Sequence, residues 1–229
     1  MSAHSLAKRL IVEATGSAIL SALVIGSGIA AARLSPGDIG LQLFENAAAT
    51  GAGLYVLILV LAPVSGAHLN PIISLVDSAL GGRPWRDALS YLSVQTLGCI
   101  AGAALANLMF DLPAVSISLK DRLTPGHVLA EVVATAGLVV VIFALTRSSR
   151  SSFIPAAVGA YIGAAYFFTS STSFANPAIT VGRMFSDTFA GIAPGTALWF
   201  IAAQLVGGLL GYWAAKSLFV PAARTPLTP

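Results

Sequence analysis

Two asparagine–proline motifs, Asn70-Pro71-Ile72 and Asn176-Pro177-Ala178, lie in otherwise apolar parts of the sequence. An asparagine side-chain oxygen accepts hydrogen bonds from the first N–H groups of a helix, and proline fits the first helical position. Each motif therefore predicts the start of a helix, and the apolar stretch that follows is too short to cross a bilayer. Two such half-helices, in matching halves with their N-termini near mid-membrane, predict a pore.

The composition of the chain is that of a membrane protein. Of its 229 residues, 56% are hydrophobic and only 9% are charged, and the mean hydropathy is +0.86. A soluble domain has about a quarter charged residues, and about 20 apolar residues cross a bilayer as a helix. By that measure the sequence contains six spans, at roughly residues 10–32, 45–64, 87–110, 127–146, 153–170 and 196–219.

Residues that hold metals or activate nucleophiles are scarce. Cys99 is the single cysteine, which excludes an intramolecular disulfide framework and a cysteine-based zinc site. The three histidines are far apart and show no ligand spacing, and the Ser/Thr run at 169–173 has no neighbouring His or Asp to activate a hydroxyl. We therefore expect no metal, no cofactor and no enzymatic activity.

Positive charges are unequally divided between the two sides that six spans define. An even number of spans places both termini on one side with eight lysines and arginines, and leaves four on the other. This asymmetry predicts a multi-pass protein of the inner (plasma) membrane with both termini in the cytoplasm. The net charge of +3 does not indicate nucleic-acid binding, because no basic face or aromatic platform accompanies it. The eight are Lys8, Arg9, Arg83, Arg86, Arg147, Arg150, Lys216 and Arg224, and the four are Arg33, Lys120, Arg122 and Arg183.

The two halves of the sequence, at about residues 8–111 and 126–220, repeat each other. Each half has a glutamate in its first span, Glu13 or Glu131, followed by a second span, an asparagine–proline half-helix and a third span. Because each half has three spans, the second half enters from the opposite side and the repeat is inverted. We therefore predict an all-α membrane protein with six transmembrane helices and two re-entrant half-helices, forming a single channel domain over residues 1–229.

The third span of each half carries the motif Gln-x-x-Gly-x-x-x-Gly, at residues 95–102 and 204–211. Glycines four residues apart share a helix face and let neighbouring backbones approach closely, so we assign them to helix packing. Gln95 and Gln204 either line the pore or hold helices together, and we favour the second role.

Glu13 and Glu131 are costly in hydrocarbon, so both are expected to face protein. One hypothesis is a proton or cation relay. The other is a buttress, in which each carboxylate accepts hydrogen bonds from N–H groups of an irregular re-entrant loop. Because each half has one such glutamate and one such loop, we favour the buttress.

The segments Ser65-Gly-Ala-His-Leu-Asn-Pro71 and Phe174-Ala-Asn-Pro-Ala178 resemble the two signatures of the aquaporin (major intrinsic protein) family. The resemblance covers essentially the whole chain and implies a homotetramer in the lipid bilayer, with a narrow pore for water and small neutral solutes in each protomer. Asn70 and Asn176 would donate to the solute, and the loop carbonyls at residues 66–69 and 172–175, which include those of Leu69 and Ala175, would accept. Two helix N-termini would repel cations. The pore-lining loop residues are then Gly66, Ala67, His68, Thr172, Phe174 and Ala175.

The chain departs from the family pattern at two positions. Ile72 stands where the first motif usually has alanine, and we expect a slight reshaping of the cytoplasmic half. Ile179 stands where nearly all family members have an arginine that narrows the outer constriction. Counted from the asparagines, the other constriction positions fall on Thr50, Ala164 and Ser173. None of these residues is charged or aromatic, so we expect a wide and weakly polar constriction.

Arg183 lies one helical turn beyond Ile179, near the same face. Its side chain either curls into the outer mouth as a displaced filter arginine, or lies in the vestibule or pairs with Asp187. We favour the vestibule or the ion pair.

Isoleucine at position 179, followed by the run 183–192, is similar to a bacterial branch of the family found with arsenic-resistance genes. That branch is thought to pass arsenite and methylated arsenicals. We therefore expect a passive channel for small neutral solutes, which include these metalloids, glycerol-like polyols and water. One alternative is a water-selective aquaporin in which Arg183 restores the filter. Another is a coupled transporter with Glu13 or Glu131 as its proton site.

Overall fold

The computed structural model describes residues 4–219, which fold into α-helices joined by short loops, with no strand in that part of the chain. The asparagine, serine, threonine and aspartate side chains that precede several helices accept hydrogen bonds from their first turns, as helix capping requires. The helices are α1 (Leu6–Leu34), α2 (Ile39–Ser65), α3 (Pro71–Ala79), α4 (Trp85–Met109), α5 (Pro125–Arg147), α6 (Ile154–Phe168, after a 3-10 turn at Ser151–Phe153), α7 (Pro177–Arg183) and α8 (Pro194–Leu218).

Six of these helices are long and apolar enough to cross a membrane: α1, α2, α4, α5, α6 with its preceding turn, and α8. Each overlaps one predicted span, and α3 and α7 are the two predicted half-helices, so the predicted fold class is confirmed. Arg224 and residue 220, the predicted end of the second half, lie outside the described residues.

The helices pack as two similar halves. Helix α1 packs most extensively against α4, and α5 against α8, while α2 and α6 form the seam between the halves. We call the side that holds the start of α1 and the end of α8 the terminal face, and the opposite side the far face. Following the spans in order, α3 runs from the middle of the protein to the terminal face and α7 runs from the middle to the far face.

The small residues of the repeated glycine motif allow these close helix pairs. Gly98 and Gly102 lie directly against the backbone carbonyls of Ala14 and Ala18 in α1, where an added Cβ would collide. The glycines of the 204–211 motif meet carbonyls of α5 in the same way. The predicted packing role of these glycines is therefore confirmed.

Candidate pore and its filter

The half-helices α3 and α7 begin at the two asparagines. The Asn70 Oδ1 atom accepts a hydrogen bond from the N–H of Ile72 at 2.9 Å. The Asn176 Oδ1 atom accepts from Ala178 at 3.0 Å and from Ile179 at 3.3 Å. Since both side-chain oxygens cap a helix, only the amide N–H groups of the asparagines remain for other partners.

Each asparagine also reaches across to the other loop. The Nδ2 atom of Asn70 donates to the Ala175 carbonyl at 2.8 Å, and that of Asn176 donates to the Leu69 carbonyl at 2.8 Å. These bonds tie the two half-helices together. An amide nitrogen carries two hydrogens, so each asparagine keeps one donor for a solute. The Leu69 and Ala175 carbonyls, predicted as pore acceptors, already accept these bonds.

The backbone of the two loops before α3 and α7 follows the same unusual path. Non-glycine residues with positive φ cost about 1–3 kcal/mol each, so the surrounding structure must hold them in place. Such a conformation recurs at the positions four, three and one before each asparagine. These residues are Gly66, Ala67 and Leu69 in the first loop, and Thr172, Ser173 and Ala175 in the second.

Glu13 holds the first loop in this conformation. It is fully buried, and its Oε1 atom accepts from the Ser65 hydroxyl at 2.6 Å and from the His68 N–H at 3.0 Å. Its Oε2 atom accepts from the Leu69 N–H at 2.8 Å and from the Gln95 amide at 2.8 Å. These are the bonds that the buttress hypothesis requires.

Glu131 makes the matching set of bonds in the second half. Its Oε1 atom accepts from the Ser171 hydroxyl at 2.6 Å and the Phe174 N–H at 2.9 Å. Its Oε2 atom accepts from the Ala175 N–H at 2.9 Å and the Gln204 amide at 2.6 Å. The two serines were missed in the sequence, although each lies five residues before its asparagine.

An internal cavity of about 170 Å³ extends from the far-face end of α7 to the terminal-face ends of α3 and α5. Its wall takes polar groups from both loops and mostly apolar side chains from the spans. Most predicted site residues line it: Thr50, Gly66, Ala67, His68, Asn70, Ser173, Phe174, Asn176, Ile179 and Arg183. Its apolar side includes Leu20, Val24, Leu54, Ile58, Leu138, Val158 and Ile162.

The prediction that Ala164 lines the constriction is wrong. Ala164 is exposed on the outer surface of α6, whereas Ile162 and Tyr166 face the cavity. Residues four apart share a helix face, so the residue midway between them points to the opposite side. The Tyr166 hydroxyl lies 3.2 Å from Thr50 Oγ1. The cavity wall next to Thr50 therefore includes an aromatic residue, whereas none was expected there.

Three other predicted positions do not line the cavity. Thr172 and Ala175 contribute no part of its wall, and Ile72 is buried against α8. A Cβ at Gly208 would lie only 2.6 Å from Cγ2 of Ile72. The side chain of Ile72 thus fills the space next to Gly208, and the expected slight reshaping of the cytoplasmic half stays a prediction. Pro71, Pro177 and Ala178 likewise form the first turns of the half-helices without lining the cavity.

Arg183 does not pair with Asp187. Within residues 4–219 it forms no ion pair, and the Asp187 carboxylate accepts from the Leu119 N–H at 3.0 Å instead. The Arg183 side chain is 3% exposed and lines the cavity. Its guanidinium carbon lies 3.4 Å from the centre of the Phe174 ring, and its Nε atom donates to the Ala190 carbonyl. The guanidinium is therefore inside the far-face end of the cavity.

The terminal-face half of the cavity contains a polar cluster around His68. Its Nε2 atom lies 2.8 Å from the Arg83 guanidinium, and its Nδ1 atom lies 3.0 Å from the Ser74 hydroxyl. Because arginine only donates, Nε2 accepts and Nδ1 carries the proton. Arg83 also pairs with Asp77 at 2.7 Å. The roles of Arg83 and Asp77 were missed, because a tight Gly-Gly turn brings them together and no spacing rule predicts it.

Comparison with known proteins agrees with this geometry. The family model described as "Major intrinsic protein" matches residues 1–175. The chain is 46% identical to "Aquaglyceroporin AqpS" of Rhizobium meliloti (strain 1021), over 97% of this chain and 94% of that protein. It is 29% identical to "Aquaporin Z" of Brucella melitensis biotype 1, over 81% and 86% of the two chains. The fold is similar to the structure of the aquaglyceroporin from Plasmodium falciparum, with a TM-score of 0.75 at 21% identity, covering 93% of this chain and 97% of that one. The chain therefore belongs to the major intrinsic protein family and is a multi-pass membrane channel, not an enzyme.

Proposed function

We propose that this channel passes small neutral solutes through the cavity between Asn70 and Asn176. Its solutes are glycerol-like polyols, arsenite and methylated arsenicals, together with water. The observation that carries the proposal is Ile179, which is buried in the cavity wall directly after the second motif. An apolar side chain at this point neither narrows the passage with a guanidinium nor competes for the hydroxyl groups of a solute.

The mixed lining of the cavity supports this range of solutes. Its polar groups include the asparagine N–H groups and the hydroxyls of Thr50 and Tyr166, and many of the other side chains that line it are apolar. Glycerol and arsenite, as neutral trihydroxides, exchange water for these polar groups. An ion that loses its water here has no such compensation, because burying an unpaired charge is costly.

A water-selective channel is the second candidate, and Arg183 favours it. Its guanidinium is buried in the far-face end of the cavity, as a displaced filter arginine would be. We rank it second because the guanidinium is held against the Phe174 ring and the Ala190 carbonyl, one turn beyond the Ile179 position.

Stopped-flow light scattering on proteoliposomes decides between these candidates. Water, glycerol and arsenite permeabilities are compared for the wild type, Ile179→Arg and, as a matched control, Ile179→Leu. We expect the wild type and Ile179→Leu to pass all three solutes, and Ile179→Arg to retain mainly water. Water permeation alone in the wild type, with little change in Ile179→Arg and gain of glycerol in Arg183→Ala, would establish the water-selective channel.

The proposal also covers the oligomeric state, the membrane and the orientation of the channel. A homotetramer in the inner (plasma) membrane follows from family resemblance, and the terminal face would be cytoplasmic because it carries most of the lysines and arginines. A coupled transporter is disfavoured, since each glutamate oxygen already accepts two hydrogen bonds and protonation would displace a donor.

A further inference from the structure

Several positive groups lie close to Phe174, which lines the far-face end of the cavity together with Arg183. Arg122 and Lys120 lie beside these two residues, and we call the four residues the far mouth. The guanidinium carbon of Arg183 lies 3.4 Å from the centre of the Phe174 ring, and that of Arg122 lies 5.5 Å from the same point. Two guanidinium groups, one from the α4–α5 loop and one from α7, therefore share one aromatic ring.

These groups have unused donors. Arg183 donates to protein only through Nε, and its two terminal nitrogens have neither a protein partner nor full enclosure. Arg122 donates through Nε to the Gly191 carbonyl at 2.8 Å and through Nη2 to the Phe189 carbonyl at 3.0 Å, which leaves Nη1 free. Several N–H donors are thus available at the cavity entrance.

The positive charge of the far mouth is not neutralised by ion pairs. Across residues 4–219, no carboxylate lies within ion-pair distance of Lys120, Arg122 or Arg183. Asp187 contacts the Leu119 N–H, and Asp121 contacts the Thr196 hydroxyl at 2.5 Å. The arginine of the opposite mouth differs, because Asp77 lies 2.7 Å from it.

The three cations act on one another. Burial, and then the neighbouring charges of Arg122 and Arg183, lower the pKa of Lys120 from its ordinary value, against an opposing effect of Asp187. Partly buried cations that no carboxylate contacts directly produce a positive potential that attracts anions.

We propose that the far mouth is a binding site for a small oxyanion, such as a phosphate or a carboxylate, held by the free N–H groups of Arg122 and Arg183. Guanidinium groups match the geometry of such oxygens and form charge-assisted hydrogen bonds with them. The bound anion stands across the entrance and slows the entry of neutral solutes. It does not proceed further, because the next part of the wall contains Ile162 and Ile179, which cannot replace its water.

The first experiment measures binding without transport. The thermal unfolding midpoint of the detergent-solubilised full chain is titrated with inorganic phosphate or acetate against chloride at equal ionic strength. Arg122→Gln and Arg183→Gln are compared with the wild type, and Arg33→Gln is the matched control. Arg33 is also on the far face, but it donates to the Phe110 carbonyl and lies over the Phe110 ring, whereas Arg122 and Arg183 lie over Phe174.

We expect both oxyanions to raise the midpoint of the wild type above that in chloride. The apparent affinity should fall about tenfold in each far-mouth variant, as expected for loss of a charge-assisted contact, and should be unchanged in Arg33→Gln. Equal effects of oxyanions and chloride, or equal weakening in Arg33→Gln, would overturn the proposal. If Arg183→Gln does not fold, the oxyanion titration is repeated with Arg122→Gln and Arg183→Lys. An apparent oxyanion affinity equal to that of the wild type in both variants would overturn the proposed site.

The second experiment tests the block and rests on the proposed solute function. Phosphate outside proteoliposomes should slow glycerol entry in the wild type, with half-effect at the apparent dissociation constant of the titration, and should act more weakly on Arg122→Gln. A wild type that passes no glycerol refutes the proposed function, while the binding titration still decides the oxyanion site. Binding without any block refutes the placement of the anion across the entrance.

Discussion

The two re-entrant loops share one backbone path, held by hydrogen bonds to a buried glutamate, and we call this arrangement the frame. One of the positions at which their side chains differ lies two residues before the asparagine. This residue is His68 in the first loop and Phe174 in the second. In both loops its backbone N–H donates to the buried glutamate, so the frame requires only the N–H of this residue. Its side chain points away from the frame and is free to differ. The frame is therefore set by backbone hydrogen bonding, and the chemistry of each mouth is set by the side chains that the frame leaves unused.

The surroundings of these two residues differ in charge balance. His68 packs edge-on to Tyr91 with ring centres 5.8 Å apart and contacts Arg83, whose charge is balanced by Asp77. Phe174 packs edge-on to Phe200 at 5.1 Å, and the guanidinium groups over it have no carboxylate partner within residues 4–219. The terminal-face mouth is thus electrically balanced and the far mouth is positive.

The largest effect should come from the shared frame. Glu13→Gln and Glu131→Gln each replace a carboxylate oxygen by an NH₂ group that faces other donors, so at least two hydrogen bonds are lost. An unsatisfied buried polar group costs about 1–3 kcal/mol, and we expect a loss of several kcal/mol in both variants. The measurement is the thermal unfolding midpoint in detergent, together with the yield of folded channel.

Two comparisons make this prediction specific. Glu45, whose Oε1 accepts a single bond from the Ser35 hydroxyl at 2.8 Å, supplies the control Glu45→Gln with a small expected effect. A Glu131→Gln variant that keeps its stability but loses a pH-dependent solute flux would contradict the buttress and favour the proton relay.

The second largest effect on stability should come from the contact between Ile72 and Gly208, where the packing of the two halves differs. Gly208→Ala puts a methyl group against Ile72, and overpacking of this kind typically costs about 1–3 kcal/mol. The loss of stability in the double variant Ile72→Ala/Gly208→Ala should be smaller than the sum of the two single losses, because the space that the isoleucine fills becomes free for the added methyl group. Unfolding midpoints of the two single variants and the double variant measure this coupling, and simple additivity would show that the two residues are not in contact.

A smaller effect should follow from making the second loop resemble the first. Phe174→His replaces the phenyl ring against which Arg183 lies by a smaller, polar imidazole. The contact that is lost is worth about 1–2 kcal/mol, and its loss releases the guanidinium toward Ile179. We expect glycerol permeability to fall relative to water permeability by roughly fivefold, the factor that about 1 kcal/mol gives in a rate. The reciprocal variant His68→Phe should leave this ratio nearly unchanged, and an equal change in both would disprove the assignment of selectivity to the far mouth.

The features that occur at matching places in both halves of the repeat could be predicted from the sequence. The asparagines, the buried glutamates and the glycine rows were found because each occurs at a matching place in both halves. The left-handed loop residues were not found, since only Gly66 among them suggests a positive φ and Thr172 and Ser173 do not. Counting from Asn176 failed for Ala164, because the rotation of α6 about its axis is set by packing and not by spacing along the chain.

The smallest effect should come from Tyr166, the aromatic residue that lies in the cavity wall where Ala164 was expected. Tyr166→Phe keeps the ring but removes the hydroxyl that lies 3.2 Å from Thr50 Oγ1, so the polar side of the constriction loses one group. A neutral hydrogen bond contributes about 1 kcal/mol, and we expect glycerol permeability to fall by less than about fivefold while water changes less. The control is Tyr161→Phe, since the Tyr161 hydroxyl donates to the Ala134 carbonyl at 2.9 Å and does not line the cavity. Equal glycerol permeabilities in the wild type and Tyr166→Phe would mean that the solute passes the far-face half without contact to this hydroxyl, and would leave the asparagines as the main polar contact of the pore.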